Sequence, residues 1–281
     1  MTDNAPHPPA DPGIGLALGA AFLGVYAHGG FLCGLNRAGI YPGHISAASA
    51  GALAGGYYAA GLRGEALQEA VLSPALKKAY PELLMPIRGA PQGIGILTGM
   101  MTGKRVVRHL KRTLPVADIE KTPGVKLSIA VSDLRRSEGL FLTSGPLAES
   151  IMASCAMPLL FAGQKIGERE FHDGGILHSI PLEPFIDDPA IHTIYVHKIN
   201  YSADSGKQRL GVREAFVNAH RMLDSSLHER RQRDAERNGK RVIVLETRQK
   251  HPGLLQSKAV KQRYFNEGHH TGASISPESN P

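Results

Sequence analysis

The chain has 281 residues, 42% of them hydrophobic and 20% charged; that suffices for one large α/β domain or two small ones and excludes a disordered protein. No apolar run approaches the roughly 18 residues of a membrane span, and two cysteines, Cys33 and Cys155, are too few for a disulfide framework. The net charge of +7 favours anionic partners: nucleic acid, an acidic membrane surface or acidic ligands.

Residues 1–12 are polar and proline-rich and lack the basic start and apolar middle of a secretory signal. They read as a disordered leader. Residues 274–281 read as a frayed tail, which leaves one domain over residues 13–273. Both cysteines lie among small or apolar neighbours, as core residues do, and a reducing cytoplasm fits them.

Gly15–Leu18 reads as a buried first strand, followed by a loop of small residues from Gly19 to Gly24. Apolar residues at helical spacing predict a helix from Tyr26 to Ala38, closed by Gly39. His44–Ala47 is a second short strand, and Ala50–Ala60 is an Ala/Gly-rich helix suited to close packing. A further helix is expected over Gly64–Lys78. Prolines and glycines make Pro81–Gly95 a loop or lid.

Gly103–Leu114 reads as a basic helix, Val125–Val131 and Gly139–Thr143 as strands, and Leu147–Ala156 as a helix. Glu168–Phe171 is strand-like and leads into Asp173-Gly174-Gly175. Ile191–His197 is a strand, Val212–Asn238 a long charged helix, Val242–Leu245 a late strand and Lys258–Gly268 a last helix. Strands alternating with helices predict an α/β fold with a mainly parallel central sheet flanked by helices.

Ser49 stands between the second strand and its helix, in Ala47-Ala48-Ser49-Ala50-Gly51. A serine on a sharp strand-to-helix turn has its hydroxyl pushed into the open, and small neighbours such as Ala47 and Gly51 let the backbone turn. Ala47 replaces the first glycine of the usual Gly-x-Ser-x-Gly. A serine nucleophile needs a base. Asp173, on a tight turn at a strand end with Gly174 and Gly175 behind it, is the candidate; an ordinary Asp-Gly turn is the alternative. The loop of Gly19, Ala20, Ala21, Phe22, Leu23 and Gly24 can offer backbone amides to an oxyanion.

Other signals carry less. The Gly99–Arg105 stretch lacks the spacing of a phosphate loop, and the glycines near Gly15 flank a strand instead of following one. No cofactor is expected. Of the chain's 13 histidines, His28, His172 and His178 lie near the motifs, and none of these has metal-ligand spacing with another, so no metal is expected. His178 or a later histidine is the alternative base, in a triad. Two basic stretches, Lys104–Arg112 and Arg230–Arg241, lack the aromatic residues that stack on single-stranded nucleic acid, so no nucleic acid is expected. The first is a candidate peripheral contact with an anionic membrane; a solvated helix face is the bland reading of both.

Four blocks resemble, in order, the signatures of patatin-like phospholipases: Gly15-Leu-Ala-Leu-Gly with its loop, Ala47-Ala-Ser49-Ala-Gly51, Ala153-Ser-Cys-Ala-Met-Pro158 and Phe171-His-Asp173-Gly-Gly175. Leu97-Thr-Gly and Ser132-Asp-Leu are similar to that family too. The resemblance is dense from Gly13 to Leu182. It implies a three-layer α/β/α domain and a lipid acyl hydrolase of the phospholipase, lysophospholipase or esterase kind. Ser49 would be the nucleophile and Asp173 the base, without a histidine, and the substrate a lipid or other carboxylic ester. The family's loop has a run of glycines, then Arg or Lys, then Gly. Here either Leu23 or Gly24 takes the basic position, depending on alignment. A catalytically impaired lipid-binding or regulatory protein on the same scaffold is the alternative that this departure raises.

Overall fold

The protein, seen in a computed structural model, is described over residues 8–80, 99–202, 212–250 and 256–275. The expected lid at 81–95, the motif residues Leu97 and Thr98, and most of the leader and tail lie outside the described residues. In chain order the elements are β1 (Asp11–Leu18), α1 (Val25–Arg37), β2 (Pro42–Ala47), α2 (Ala50–Ala59), α3 (Gly64–Leu72), α4 (Pro74–Ala79), β3 (Gly99–Met101), α5 (Lys104–Thr113), β4 (Lys126–Asp133), β5 (Glu138–Leu142), α6 (Leu147–Ser154), β6 (Leu159–Phe161), β7 (Gln164–Ile166), β8 (Arg169–Asp173), α7 (Glu183–Ile186), β9 (Thr193–Ser202), α8 (Val212–Arg237), β10 (Arg241–Lys250) and α9 (Lys258–Ala273).

The main sheet follows the hydrogen-bonded order β10-β9-β1-β2-β4-β8-β7, with β5 also on β4. The five strands from β10 to β4 are parallel, and β5, β8 and β7 add an antiparallel margin. Side chains alternate across the pleat, and the two faces feed two cores. Leu16 and Leu18 of β1 and Tyr195 of β9 join the larger core, with α1, α2 and α9. Ala17, Ile194 and Val196 join the smaller one, with Phe185 of α7 and Ala235 of α8. Both faces are covered, which makes three layers.

The elements differ from the sequence expectation in three ways. The helix expected over Gly64–Lys78 is two helices. Ser73 stands before Pro74, where a helical conformation is disfavoured; it turns out to ψ 126° and its Oγ accepts from the amide of Ala75, starting α4 afresh. Strands β3, β6 and β7 are three residues each, too short for a periodic signal. Finally α9 continues past Gly268 to Ala273.

Gly268 and its neighbour Gly272 do not end α9; they let it touch α1. A Cβ on Gly268 would sit 2.0 Å from the Ala27 carbonyl oxygen, and one on Gly272 2.3 Å from that of Phe31. Reciprocally, a Cβ on Gly30 would sit 1.9 Å from the Phe265 oxygen, and one on Gly34 2.2 Å from that of His269. Each helix offers two glycines, four residues apart, to the other's backbone. Alanine is the better helix former by up to about 1 kcal/mol, but backbone cannot yield as a side chain would. We predict that Gly30→Ala lowers the unfolding free energy by about 2 kcal/mol net, read from the urea midpoint; a variant as stable as wild type would refute this backbone-to-backbone packing.

Candidate active site

Ser49 and Asp173 are 124 positions apart in sequence and meet on one edge of β4. Ile129 pairs with both Ala47 and Leu142, and Val131 pairs with both Leu140 and Asp173. A strand residue has only two edges. Therefore β5 takes one edge of β4, while β2 and β8 follow each other along the other. β2 runs parallel to β4 and β8 antiparallel, so their carboxyl ends face each other. The residues just beyond Ala47 arrive at Asp173.

The turn after β2 is strained. Ser49 has φ 53° and ψ −120°, a conformation that a residue with a Cβ rarely adopts. Several bonds hold it there. The Ser49 amide donates to Ser154 Oγ at 2.8 Å, the Cys155 thiol donates to the Ser49 carbonyl, and the Ala48 amide donates to Leu18 O at 3.1 Å. Gly51 lets the first turn of α2 lie on the end of β1, because a Cβ there would be 2.3 Å from the Leu18 oxygen. Ala47 is fully buried. Ser154 was not singled out by the sequence reading, although it lies within the Ala153–Pro158 block.

Asp173 is 4% exposed. Its Oδ2 accepts from Ser49 Oγ at 2.8 Å, and its Oδ1 accepts from the Gly175 amide at 2.7 Å. Its backbone is fixed as well: the amide donates to Ala156 O, and the carbonyl accepts from Ser132 Oγ at 2.9 Å. Gly174 and Gly175 are required by contact. A Cβ on Gly174 would be 2.1 Å from Ala130 O, and one on Gly175 would be 2.6 Å from Ala20 Cβ. Burial pushes the Asp173 carboxyl up from its ordinary 3.8 to about 6, against the bonds from Ser49 and Gly175 that favour its charged form. A carboxylate in that range is ionised at neutral pH yet basic enough to take a proton.

The loop after β1 presses against this turn through Ala20. Its amides are not equivalent. That of Gly19 donates to His197 O, that of Ala20 to Ser179 O and that of Gly24 to Ala21 O, while Phe22 O accepts from the Tyr201 hydroxyl. The amides of Ala21 and Leu23 have no partner among the described residues, and Leu23 stands at φ 56°. The amide of Ala50, at the positive end of α2, is likewise open.

No histidine is bonded to Ser49 among the described residues. His178 pairs with Glu183 at 2.8 Å, and His172 is buried 3.6 Å from Glu170. His28 is wholly buried, and burial lowers it to about 4; His197 is pushed well below the usual range by burial and by His28. Both are neutral at pH 7, which fixes their tautomers. The Gly19 carbonyl only accepts, so His28 donates to it from Nε2 (2.8 Å) and accepts on Nδ1 from His197 (2.8 Å). His197 Nε2 lies 2.8 Å from the Thr247 hydroxyl. These histidines brace the loop from behind. Burial and the Asp173 charge push the Cys155 thiol far up, and burial lifts Cys33 to about 11; neither is a nucleophile. Among the described residues no cluster of three or more His, Cys, Asp or Glu side chains is placed to hold a metal.

A half-buried serine hydroxyl on a strained turn, bonded to a buried carboxylate beside amides without a partner among the described residues, is an arrangement suited to acyl transfer. Comparison with known proteins points the same way. Residues 16–186 match the patatin-like phospholipase family. An uncharacterized NTE family protein of Mycobacterium tuberculosis and one of Mycobacterium bovis are each 28% identical over 187 residues, 66% of this chain and 49% of theirs. The chain thus spans about half the length of these relatives. The crystal structure of VipD from Legionella pneumophila overlays 95% of this chain and 66% of that one at a TM-score of 0.50 and 16% identity, a likeness of fold.

The raised Asp173 pKa has a consequence for stability. Below about pH 4 the carboxyl is neutral in the folded and the unfolded chain alike. Between there and pH 6 the unfolded chain releases the proton and the folded one keeps it, so stability falls as the pH rises through that window. The shift is worth about 3 kcal/mol. Asp173→Asn cannot ionise, and we predict that it exceeds wild type in unfolding free energy by about 3 kcal/mol at neutral pH and converges with it near pH 4. Chemical denaturation across the pH series measures the gap, and a gap independent of pH would contradict the buried charge.

Proposed function

Because the chain belongs to the patatin-like phospholipase family, we propose that it is a serine hydrolase that cleaves the carboxylic esters of a lipid through an acyl-Ser49 intermediate. The observation that carries this reading is the 2.8 Å bond from Ser49 Oγ to Asp173 Oδ2 at a strained turn. Ser49 Oγ attacks the ester carbonyl carbon as its proton passes to Asp173. The tetrahedral oxyanion is met by the amides of Ala21 and Leu23 and by that of Ala50. The bond to the alkoxy group then breaks, and Asp173 returns the proton to the departing alcohol. In the second half Asp173 takes a proton from water, whose oxygen attacks the acyl carbon. That proton goes to Ser49 Oγ as the fatty acid leaves.

The departure in the loop is compatible with this chemistry. Backbone amides donate whatever side chain they carry, so the missing basic residue removes no donor. Leu23 reaches a positive φ where the family's pattern offers glycine or a basic residue.

The lipid is reached from a membrane surface. No helix among the described residues is long and apolar enough to cross one. Lys104, Arg105, Arg108, Lys111 and Arg112 lie exposed on α5. The start of this helix touches α6, since a Cβ on Gly103 would meet Met152, and the last residue of α6 holds the Ser49 amide. The basic face therefore flanks the site. Binding to anionic vesicles is expected to weaken steeply with added salt, the Debye length being about 10 Å at 0.1 M; binding indifferent to salt, in a sedimentation assay, would remove α5 from the account.

A fluorophosphonate probe should label wild type and leave Ser49→Ala unlabelled. Turnover of p-nitrophenyl esters should fall about a thousandfold or more in Ser49→Ala and Asp173→Asn. In wild type, kcat/KM should rise with pH as one proton leaves a group near 6. Folded wild type that neither labels nor turns over would overturn the hydrolase and leave a lipid-binding protein on the same scaffold.

A further inference from the structure

A groove of about 1240 Å³ lies between α1, α3 and α4 on one side and α9 on the other. We infer that it is a binding site for a phosphate group that carries a hydroxyl: inorganic phosphate or a phosphomonoester.

Three side chains form its centre. Lys77 reaches across from α4, and its ammonium donates to the Gln256 carbonyl at 2.9 Å. Lys261, on the first turn of α9, is only 6% exposed. Its ammonium lies 5.2 Å from the centroid of the Tyr26 ring and has no carboxylate partner among the described residues. The Gln256 side chain is also 6% exposed and lines the groove, and both its amide nitrogen and its amide oxygen lack a partner among the described residues.

These features are costly unless something else completes them. A buried amide atom without a partner costs about 1–3 kcal/mol, and a buried cation without a counter-charge costs more. Burial and the nearby charge of Lys77 hold the Lys261 ammonium below its ordinary pKa, a tension that an anion between the two lysines would relieve. Around the rim, Arg37 and Lys258 add two cations, while Glu65 and Glu69 add two carboxylates. The rim is balanced and the centre is positive.

Gln256 narrows the choice of anion. Its NH₂ needs an acceptor and its oxygen needs a donor. Sulfate, a carboxylate and a phosphodiester only accept. Hydrogen phosphate and a phosphomonoester do both: their bare oxygens take the lysines and the amide N–H, and their P–OH donates to the amide oxygen. The source is a soluble phosphate or the headgroup of a phosphomonoester lipid.

Calorimetry on the full chain tests this. Wild type should bind inorganic phosphate at least about tenfold more tightly than sulfate, the cost of one amide oxygen left unpaired. Gln256→Leu should erase that preference, and Lys261→Met should lose both anions. Lys77→Met, at an exposed position, should weaken phosphate about tenfold and guards against a variant that merely unfolds. Vesicles of phosphatidylcholine with phosphatidic acid or with phosphatidylglycerol separate the sources, with Ser49→Ala protein so that the lipid stays whole. Preferential capture by phosphatidic acid, lost in Gln256→Leu, identifies a lipid headgroup. Phosphate binding without such capture identifies a soluble ligand. No phosphate binding by wild type, or binding that survives both lysine substitutions, overturns the site. The outcome is independent of whether Ser49 turns over an ester.

Discussion

Two strands of opposite direction end against the same edge of β4, and the geometry of the candidate site depends on that head-on meeting. It brings a hydroxyl and a carboxylate within 2.8 Å although 124 residues separate them. Neither end is relaxed there. Ser49 is held in an unfavourable conformation by Ser154, Cys155 and Leu18, and Asp173 is ionised in a place that excludes water. The bulk of the core, on the α1, α2 and α9 side of the sheet, offsets both costs. On the proposed hydrolase reading, a site so built exchanges stability for reactivity.

The parts legible in the sequence are those written in local chemistry. Small residues around Ser49 announce a sharp turn, and Asp173-Gly174-Gly175 announces another. The five parallel strands are visible because each is an apolar run beside a helix of the right period. What the sequence hides is tertiary. Strands β3, β6 and β7 are three residues each and have no period of their own. Pro74 splits a helix whose apolar residues, Leu67, Val71 and Leu76, continue in nearly helical spacing across the break. Gly268 has the look of a helix stop, yet it serves as a contact, and only the partner helix tells the two apart.

The loop at Gly19–Gly24 shows the same limit more sharply. Six consecutive residues offer six amides. Which of them stay open is decided by Ser179 and His197, far along the chain, and by Ala21 within the loop. His28 then holds the Gly19 carbonyl from behind, and burial keeps His28 neutral and donating. His28 and His197 therefore matter through the backbone they orient, while the hydroxyl of Ser49 donates to Asp173.

The glycine contact between α1 and α9 bears on the order in which the protein is made. Lys258 follows Arg37 by 221 positions. At ribosomal rates of 5–20 residues per second, α1 waits on the order of 10–40 s for the helix that covers it. During that interval its glycine face is bare. The loop at Gly19 also lacks part of its brace, because His197 and Thr247 come late in the chain as well. A nascent chain can thus present Ser49 long before it has the surroundings that hold the neighbouring loop in place. The turn at Ser49 and the helix pair that backs it are therefore completed at separate times, the second well after the first.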